Sequence, residues 1–409
     1  VQIFITDDTG WSKSSISFAV SLGTWCSGLV APLAGRIADR HGPRWLMPVA
    51  LVIVGTALVS LWGVHSIVHF YVAYIISRAV SNPIIIGIVP RTTAVNFFRR
   101  RRNIALALTS MARPVSGAIN IQLISIIASR HGWRAAYGYL GIMSFLMVIP
   151  IAVIMRRRPE DIGMLPDGAR PETVSARLST DVGGGSRGEP DPFSTPEFSW
   201  TVSEAVHTRA FWFIALGHGT SLLIVGAVMV HLVLYVNGQL GYSLTVAGLI
   251  VSLMTAMQIV GLTSTGFLGD RIDKRIIVIT CMGLHAAGML LLAYAQNIWM
   301  VVGFAALHGI AWGTRGPLMQ AIRADYFGAT HFGSIMGWSS LIVMLGMAIG
   351  PIYAGYMADR TNNYQAAFTT LAIAALFGAI FFLLAKPPYR PDRQPTEGSS
   401  TGLSSTAKS

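Results

Sequence analysis

Three arginines stand inside long apolar stretches of the sequence: Arg78, Arg113 and Arg315. An arginine at the centre of a bilayer costs at least ~2.5–3.5 kcal/mol on insertion scales. Every Asp and Glu lies outside the apolar stretches, so no nearby carboxylate is expected to neutralise these cations. Guanidinium groups bind carboxylates through paired hydrogen bonds, and the three arginines therefore predict an anionic ligand. The alternative is that each arginine bonds backbone carbonyls or helix ends.

Histidines also occur within the apolar stretches, and without a carboxylate there they are the groups able to exchange a proton near neutral pH. By depth, His218 and His308 are the better candidates for a binding site, although a packed, hydrogen-bonding role is the alternative for each. The apolar stretches contain no HExxH or GxSxG pattern and no paired carboxylates. An enzyme, a metal site and a bound cofactor are therefore not expected.

The composition indicates a membrane protein. Apolar residues make up 53% of the chain and charged residues 12%, against roughly 25% charged in soluble domains. The net charge of +12 does not indicate nucleic-acid binding, because the basic residues cluster at the ends of apolar stretches, where they orient helices in a bilayer. The run Arg99–Arg102 is interpreted as a cytoplasmic anchor, with a lipid or nucleic-acid patch as the alternative.

The uncharged stretches are long enough for about eleven membrane-spanning helices, which predicts an all-α membrane protein. The predicted spans are 14–35, two between Arg44 and Arg99, 103–129, 135–155, two in 210–269, two in 276–322, 332–357 and 364–385. Eleven is odd, and residues 1–10 are interpreted as the end of a first helix, so that a twelve-helix protein is expected. A chain with eleven spans is the alternative.

The spans divide the chain into four parts. Residues 1–155 form an N-terminal transmembrane half with its first helix mostly missing, and residues 209–386 form a C-terminal half. Residues 156–208 are rich in Gly, Pro, Ser and charge, which predicts a flexible or partly helical cytoplasmic linker. Residues 387–409 are predicted to be a disordered cytoplasmic tail.

Two loops repeat one pattern, GRIADRHGPR at 35–44 and GFLGDRIDKR at 266–275. The shared positions are Gly35, Asp39, Arg40 and Arg44, aligned with Gly266, Asp270, Arg271 and Arg275, and the first loop also contains Gly42. Glycine permits close backbone approach, and an aspartate is attracted to a helix N-terminus. We expect Asp39 to bind the helix that begins near Gly333, and Asp270 the helix that begins near Asn103. Such contacts would join the halves on the cytoplasmic side and break when the protein opens inward; the alternative is that both loops merely follow the positive-inside rule.

These loops resemble the signature of the major facilitator superfamily between helices two and three and its degenerate copy between helices eight and nine. Arg78 matches the arginine of another family motif on the fourth helix. The segments MRRRPEDIGMLPDG and TRAFW resemble the branch of monocarboxylate porters and oxalate/formate antiporters. That branch often has a charged residue on helix eight, whereas helix eight here, about Ser243–Leu268, has none. The resemblance implies two pseudo-symmetric six-helix bundles that alternate in access.

Together, these observations predict a secondary active carrier of small organic anions, most simply carboxylates, in the cytoplasmic membrane. Symport and antiport both stay open, and protons are a candidate coupling ion. A monomer without nucleic-acid partners is expected. The alternatives are a drug or other small-molecule efflux carrier of the same superfamily and, in a different class, a non-transporting membrane receptor.

Overall fold

The computed structural model describes residues 2–169 and 199–389, and within these residues the secondary structure is helical, with no strand. The N-terminal half contains α1 (Gln2–Thr9), α2 (Lys13–His41), α3 (Pro43–Ser60), α4 (Ile67–Val80), α5 (Ile88–Phe97), α6 (Arg102–Leu146) and α7 (Val148–Ile154). The C-terminal half contains α8 (Val202–Val206), α9 (Arg209–Leu234), α10 (Leu244–Leu268), α11 (Lys274–Ala293), α12 (Ile298–Phe327), α13 (Phe332–Thr361) and α14 (Gln365–Leu384).

Nine helical segments of the described chain are long and apolar enough to cross a membrane. One of them, residues 102–154, is 53 residues long and reverses at Gly132, where the backbone has φ 84°. It therefore supplies two crossings. The 30-residue α12 has the length of a further span, although it is not one of the nine. With these two additions the described residues contain the eleven crossings predicted from sequence.

Local sequence explains where the helices begin and turn. Pro43 occupies the first turn of α3, where its missing N–H costs nothing. The side chain of Asn297 accepts a hydrogen bond from the backbone N–H of Met300 and caps α12. Between α4 and α5 the chain widens into a π-helical turn, Ser81–Gly87, which contains Pro83. Proline removes a backbone donor, and the wide turn follows directly after Arg78.

The two halves pack in corresponding ways. In the N-terminal half α2 packs on α4, and α3 packs on α6; in the C-terminal half α10 packs on α12, and α11 packs on α14. The halves meet where α2 packs on α13 and α6 packs on α10. We call the side of the bundle that carries residues 36–44 and 269–275 the loop face, and the other side the opposite face. An apolar cluster that includes Ala31, Ala94, Ala321 and Phe332 lies between the halves near the loop face.

The spans extend further than the hydropathy pattern predicts. The helix expected at 14–35 continues to His41, so that Asp39 lies in its last turns. Asp325 and Asp359 likewise lie near the ends of α12 and α13. The expectation that no carboxylate lies on a spanning helix is therefore wrong for these three residues. The helices continue past their apolar stretches into the layer where membrane and water meet. Most of the predicted linker and the tail from residue 390 lie outside the described residues.

Candidate functional site

Asp39 joins the two halves at the loop face. Its carboxylate accepts hydrogen bonds from the backbone N–H of Gly333 (2.9 Å), the backbone N–H of Ser334 (2.7 Å) and the hydroxyl of Ser334 (2.6 Å). Both residues belong to the first turn of α13, whose unpaired N–H groups and dipole favour a negative charge. Arg157 holds the same turn of α2 from the other side, because its Nη2 donates to the main-chain oxygen of Asp39 at 2.6 Å.

Gly35 lies one helical turn before Asp39 and brings α2 into direct backbone contact with α13. A Cβ atom at this position would lie 2.0 Å from the main-chain oxygen of Gly333, far inside van der Waals contact. Gly42 is required for a different reason. It connects α2 to α3 with φ 75°, and a Cβ there would lie 2.6 Å from the Cβ of Arg157.

The second copy of the pattern makes a weaker contact between the halves. The carboxylate of Asp270 accepts a hydrogen bond from the side-chain amide of Asn103 at 2.5 Å, rather than from the helix N-terminus expected from sequence. The physical reason is that α10 ends at Leu268, so Asp270 lies in the following turn and remains exposed. Gly266 allows Ile104 of α6 to approach, since a Cβ would lie 2.9 Å from its side chain.

The basic residues of both loops lie mainly at the surface. Arg40, Arg44 and Arg271 are exposed. The guanidinium of Arg271 lies 3.8 Å from the ring centre of Phe267, a cation–π contact. Arg275 instead donates to the main-chain oxygen of Leu383 at 2.7 Å and so ties its loop to the end of α14.

Arg78 and Arg113 come together in the N-terminal half. They interact electrostatically, and each lies about 16 Å along its helix from the residue where its membrane-spanning segment begins, Ile67 for Arg78 and Arg102 for Arg113, which places both close to mid-bilayer. The Nε of Arg78 donates to the hydroxyl of Thr24 at 3.4 Å, a long hydrogen bond. Protein atoms surround Arg113, yet its side chain is exposed and makes no ion pair with any described residue. It therefore lines an open space inside the bundle.

Arg315 and His308 are buried in the C-terminal half instead of facing this open space. Both side chains have no exposed surface in this conformation. The Nδ1 atoms of His285 and His308 lie 3.1 Å apart, and Arg315 is close enough to interact electrostatically with both rings. The Nε and Nη1 atoms of Arg315 are buried and have no hydrogen-bond partner among the described residues. A buried guanidinium without hydrogen-bond partners is unfavourable, so the donors of Arg315 are unsatisfied in the present conformation.

Two further arginines, Arg91 and Arg323, belong to the same cationic group and were missed in the sequence. Arg91 is close enough to interact electrostatically with Arg113 of its own half and with Arg323 of the other half. Arg323 is 3% exposed and donates to the hydroxyl of Ser339 at 2.8 Å and to Nδ1 of His218 at 3.1 Å. Both arginines lie within about 10 Å of the loop-face end of their helices, where a hydropathy pattern does not separate them from interfacial anchors.

The contact with Arg323 determines the tautomer of His218. Arginine carries only donors, so Nδ1 of His218 accepts the hydrogen bond and the ring proton lies on Nε2. In this conformation His218 is thus a neutral, partly exposed ligand of Arg323. Its accepting nitrogen is already engaged and is not free to take up a proton.

The described part of the chain contains five arginines in or near the middle of the bundle and no carboxylate paired with any of them. The ion pairs recorded for residues 2–169 and 199–389 are instead peripheral. Asp325 binds Arg102 at 3.4 Å and Lys274 at 2.5 Å at the loop face, and Asp8 binds Arg134 at the opposite face. The positive charge in the centre of the bundle is therefore not balanced by the described residues.

Comparisons with known proteins identify the family of this fold. The sequence model of the Major Facilitator Superfamily matches residues 1–261 and again 214–408. The chain belongs to the Major Facilitator Superfamily. The double match also agrees with the repeated loop pattern and the corresponding helix packing in the two halves.

Individual relatives of this superfamily are distant. The MFS transporter asaE of Aspergillus flavus is 24% identical over 387 residues, which cover 92% of this chain and 78% of the relative. Human monocarboxylate transporter 7 is 22% identical over 435 residues, covering 94% and 81%. Among solved structures, the proton:xylose symporter XylE superposes with a TM-score of 0.70 at 13% identity, covering 94% of this chain and 90% of that one.

The comparisons and the eleven crossings together make the chain a multi-pass membrane transporter of this superfamily, whose members are carriers and not enzymes. The site has the elements that such a carrier needs. The halves are joined at the loop face by Asp39 and Gly35, while Arg113 remains accessible within the bundle. The structure therefore represents a state that is closed at the loop face.

Proposed function

We propose that the protein transports a small organic anion, a carboxylate, by alternating access. The observation that carries this proposal is the uncompensated cationic group in the centre of the bundle. Arg78 and Arg113 interact with each other, and neither is paired with a carboxylate among the described residues. Like charges in a low-dielectric interior repel, and an anion bound between them would relieve this repulsion. The names of relatives such as monocarboxylate transporter 7 support the same class of substrate.

The depths of the arginines suggest a path for the anion. Arg78, Arg113 and Arg315 lie near mid-bilayer, and Arg91 and Arg323 lie closer to the loop face. We assign the first binding step to Arg78 and Arg113, because both have accessible surface in this state. Arg91 and Arg323 lie on the route that opens when the loop-face contacts break. His218 orients Arg323 through its Nδ1 atom.

Under this proposal, the two repeated loops are the gate. The contacts of Asp39 and Gly35 with α13 hold the loop face closed, and those of Asp270 and Gly266 with α6 assist. The loop face is assigned to the cytoplasm, with the linker and the C-terminal tail, because basic residues such as Arg40, Arg99 and Arg156 concentrate there. The present state is then outward-facing.

The test is uptake of labelled mono- and dicarboxylates into proteoliposomes that contain the purified protein. Each charge-assisted hydrogen bond contributes about 1.5–3 kcal/mol, so Arg113→Gln should weaken apparent affinity about 10- to 150-fold. Arg113→Lys should recover only part of it, because lysine keeps the charge and loses the planar fork. Arg360→Gln is the matched control, since Arg360 is exposed near the end of α13 and, among the described residues, donates to the hydroxyl of Tyr356.

Uncharged amides of the same acids provide a second comparison. They have nearly the same shape but no negative charge, so they should neither be taken up nor compete. If carboxylate uptake survives Arg78→Gln, Arg113→Gln and Arg315→Gln, the proposed role of the arginines is wrong. Uptake of a cationic drug that none of the three substitutions affects would favour an efflux carrier instead.

A further inference from the structure

A second cavity lies apart from the cationic group, at the loop-face ends of α5, α6 and α7. It has a volume of about 550 Å³, which falls within the usual range for ligand pockets of ~300–1,000 Å³. Its wall is mainly apolar, and Leu108 and Ile154 in it are 61% and 74% exposed, so it opens at the surface of the bundle. The lining includes Pro90, Phe97, Ile104 and Thr109.

Two arginines, Arg101 and Arg156, stand at one end of this cavity. The side chain of Arg101 is exposed and makes no hydrogen bond or ion pair with the described residues. Its main-chain N–H is held by Asp167, whose carboxylate also accepts from the N–H groups of Arg99 and Arg100 at 3.1 and 2.8 Å. The linker residue thus fixes the shape of the loop and leaves the guanidinium of Arg101 free.

Arg156 is held at the end of α7. Its Nη1 donates to the main-chain oxygens of Val153 at 2.6 Å and Met155 at 2.9 Å, so the guanidinium stays beside the helix terminus. Arg101 and Arg156 therefore lie at the level of the helix ends, which is the level of lipid headgroups. Pro90 and Leu108 lie about 10 Å deeper, in the hydrocarbon layer.

We propose that this cavity binds one anionic phospholipid. The phosphate-bearing headgroup contacts Arg101 and Arg156, and an acyl chain occupies the apolar groove along Leu108 and Ile104. Two properties favour this occupant over a soluble anion. The groove is open on the side that faces the bilayer, and the charge of its polar end is complementary to an anionic headgroup, as in basic pockets between transmembrane helices.

Native mass spectrometry of the whole chain tests the proposal. Phosphatidylglycerol and phosphatidylcholine are added together, in equal amounts, to the protein in detergent, and the protein is then released from the detergent in the spectrometer. The wild-type protein should retain one phosphatidylglycerol in preference to phosphatidylcholine. Each arginine near the surface contributes about fivefold to binding of anionic lipid, so Arg101→Gln combined with Arg156→Gln should lower the affinity at least tenfold. The matched control is Arg100→Gln, which removes an equal charge from the same loop but does not line the cavity.

A second pair of variants distinguishes a loss of lipid binding in the groove from a loss of protein stability. Arg156→Lys keeps the positive charge and should retain the lipid, even if it loosens the end of α7. Thr109→Trp fills the groove without changing charge, and should reduce retention of both lipids while the thermal unfolding of the protein stays near that of the wild type. Equal loss in Arg100→Gln and Arg101→Gln, or equal retention of both lipids by the wild type, would overturn the proposal. Displacement of the bound species by inorganic phosphate would assign the site to a soluble anion instead.

Discussion

Replacing Gly35 by alanine should shift the protein away from the state closed at the loop face. The added Cβ would lie 2.0 Å from the main-chain oxygen of Gly333 and 2.5 Å from its carbonyl carbon, and neither backbone atom can rotate away. Real Cβ contacts essentially never fall below 3.0 Å, so α2 and α13 must separate by about 1 Å here. Asp39 lies one turn further along the same face of α2.

A separation of this size exceeds the tolerance of the gate. The hydrogen bonds of Asp39 measure 2.6–2.9 Å, and lengthening them by about 1 Å takes them beyond ~3.5 Å, where they no longer count as hydrogen bonds. A hydrogen bond to a charged group contributes about 1.5–3 kcal/mol. Loss of even one would lower the ratio of closed to open states about 10- to 150-fold.

The assay is a distance measurement by electron–electron double resonance between spin labels on opposite halves of the loop face. Arg40 and Thr330 are exposed positions for the labels, in a background without Cys26 and Cys281. Gly35→Ala should add a population at longer distance. Gly28→Ala is the control, because it places the same methyl group at the same interface, where the nearest atom is the Cβ of Met344 at 3.4 Å, an ordinary contact. Equal distance distributions in both variants and the wild type would refute the reasoning.

Two further predictions concern stability. Gly313→Ala should lower the thermal unfolding temperature, because its Cβ would lie 2.0 Å from a main-chain oxygen of α10 and such overpacking costs about 1–3 kcal/mol. Gly316→Ala is the control and should leave the unfolding temperature unchanged, because a Cβ there would have no atom within 4 Å. Hydrogen bonds from Trp133 and Arg134 lower the pKa of Asp8, so this carboxylate stabilises the fold above its ordinary pKa and loses that effect as pH falls through the lowered value. The difference in unfolding temperature between the wild type and Asp8→Asn should therefore be constant near neutral pH and begin to shrink below about pH 4, the ordinary pKa of an aspartate; a difference that grows in acid would contradict this.

The sequence was sufficient for the fold because its signals are local. Uncharged stretches of membrane length, interrupted by turns such as Gly63–Ser66, place the crossings within a few residues of the observed helices. The repeated loop pattern indicated two halves before any comparison. The errors lie at helix ends, as at Asp39, where a helix continues beyond its apolar stretch because the interface still allows backbone hydrogen bonding.

The site was less accessible to sequence analysis because its organisation is not local. Arg91 and Arg323 lie near the loop-face ends of their helices, where arginine is normally an interfacial anchor. Only the packing of the two halves brings them into one group. Similarly, hydropathy places His308 at a suitable depth, but the contact with His285, 23 residues earlier, depends on how α11 and α12 pack. Depth predicts which layer a side chain occupies and not which way it faces.

The structure also separates the arginines by how well the protein itself satisfies them. Arg323 donates to Met319, Ser339 and His218, so the bonding to neighbouring groups that sequence analysis kept as an alternative is sufficient for it. Within the described part of the chain, Arg78 makes one hydrogen bond of 3.4 Å, and two buried nitrogens of Arg315 make none. An arginine satisfied by its surroundings can remain unchanged through a transport cycle, whereas an unsatisfied one gains most from a ligand or from a change of conformation. Under the proposed function, replacement of Arg315 should therefore affect the equilibrium between states as well as affinity.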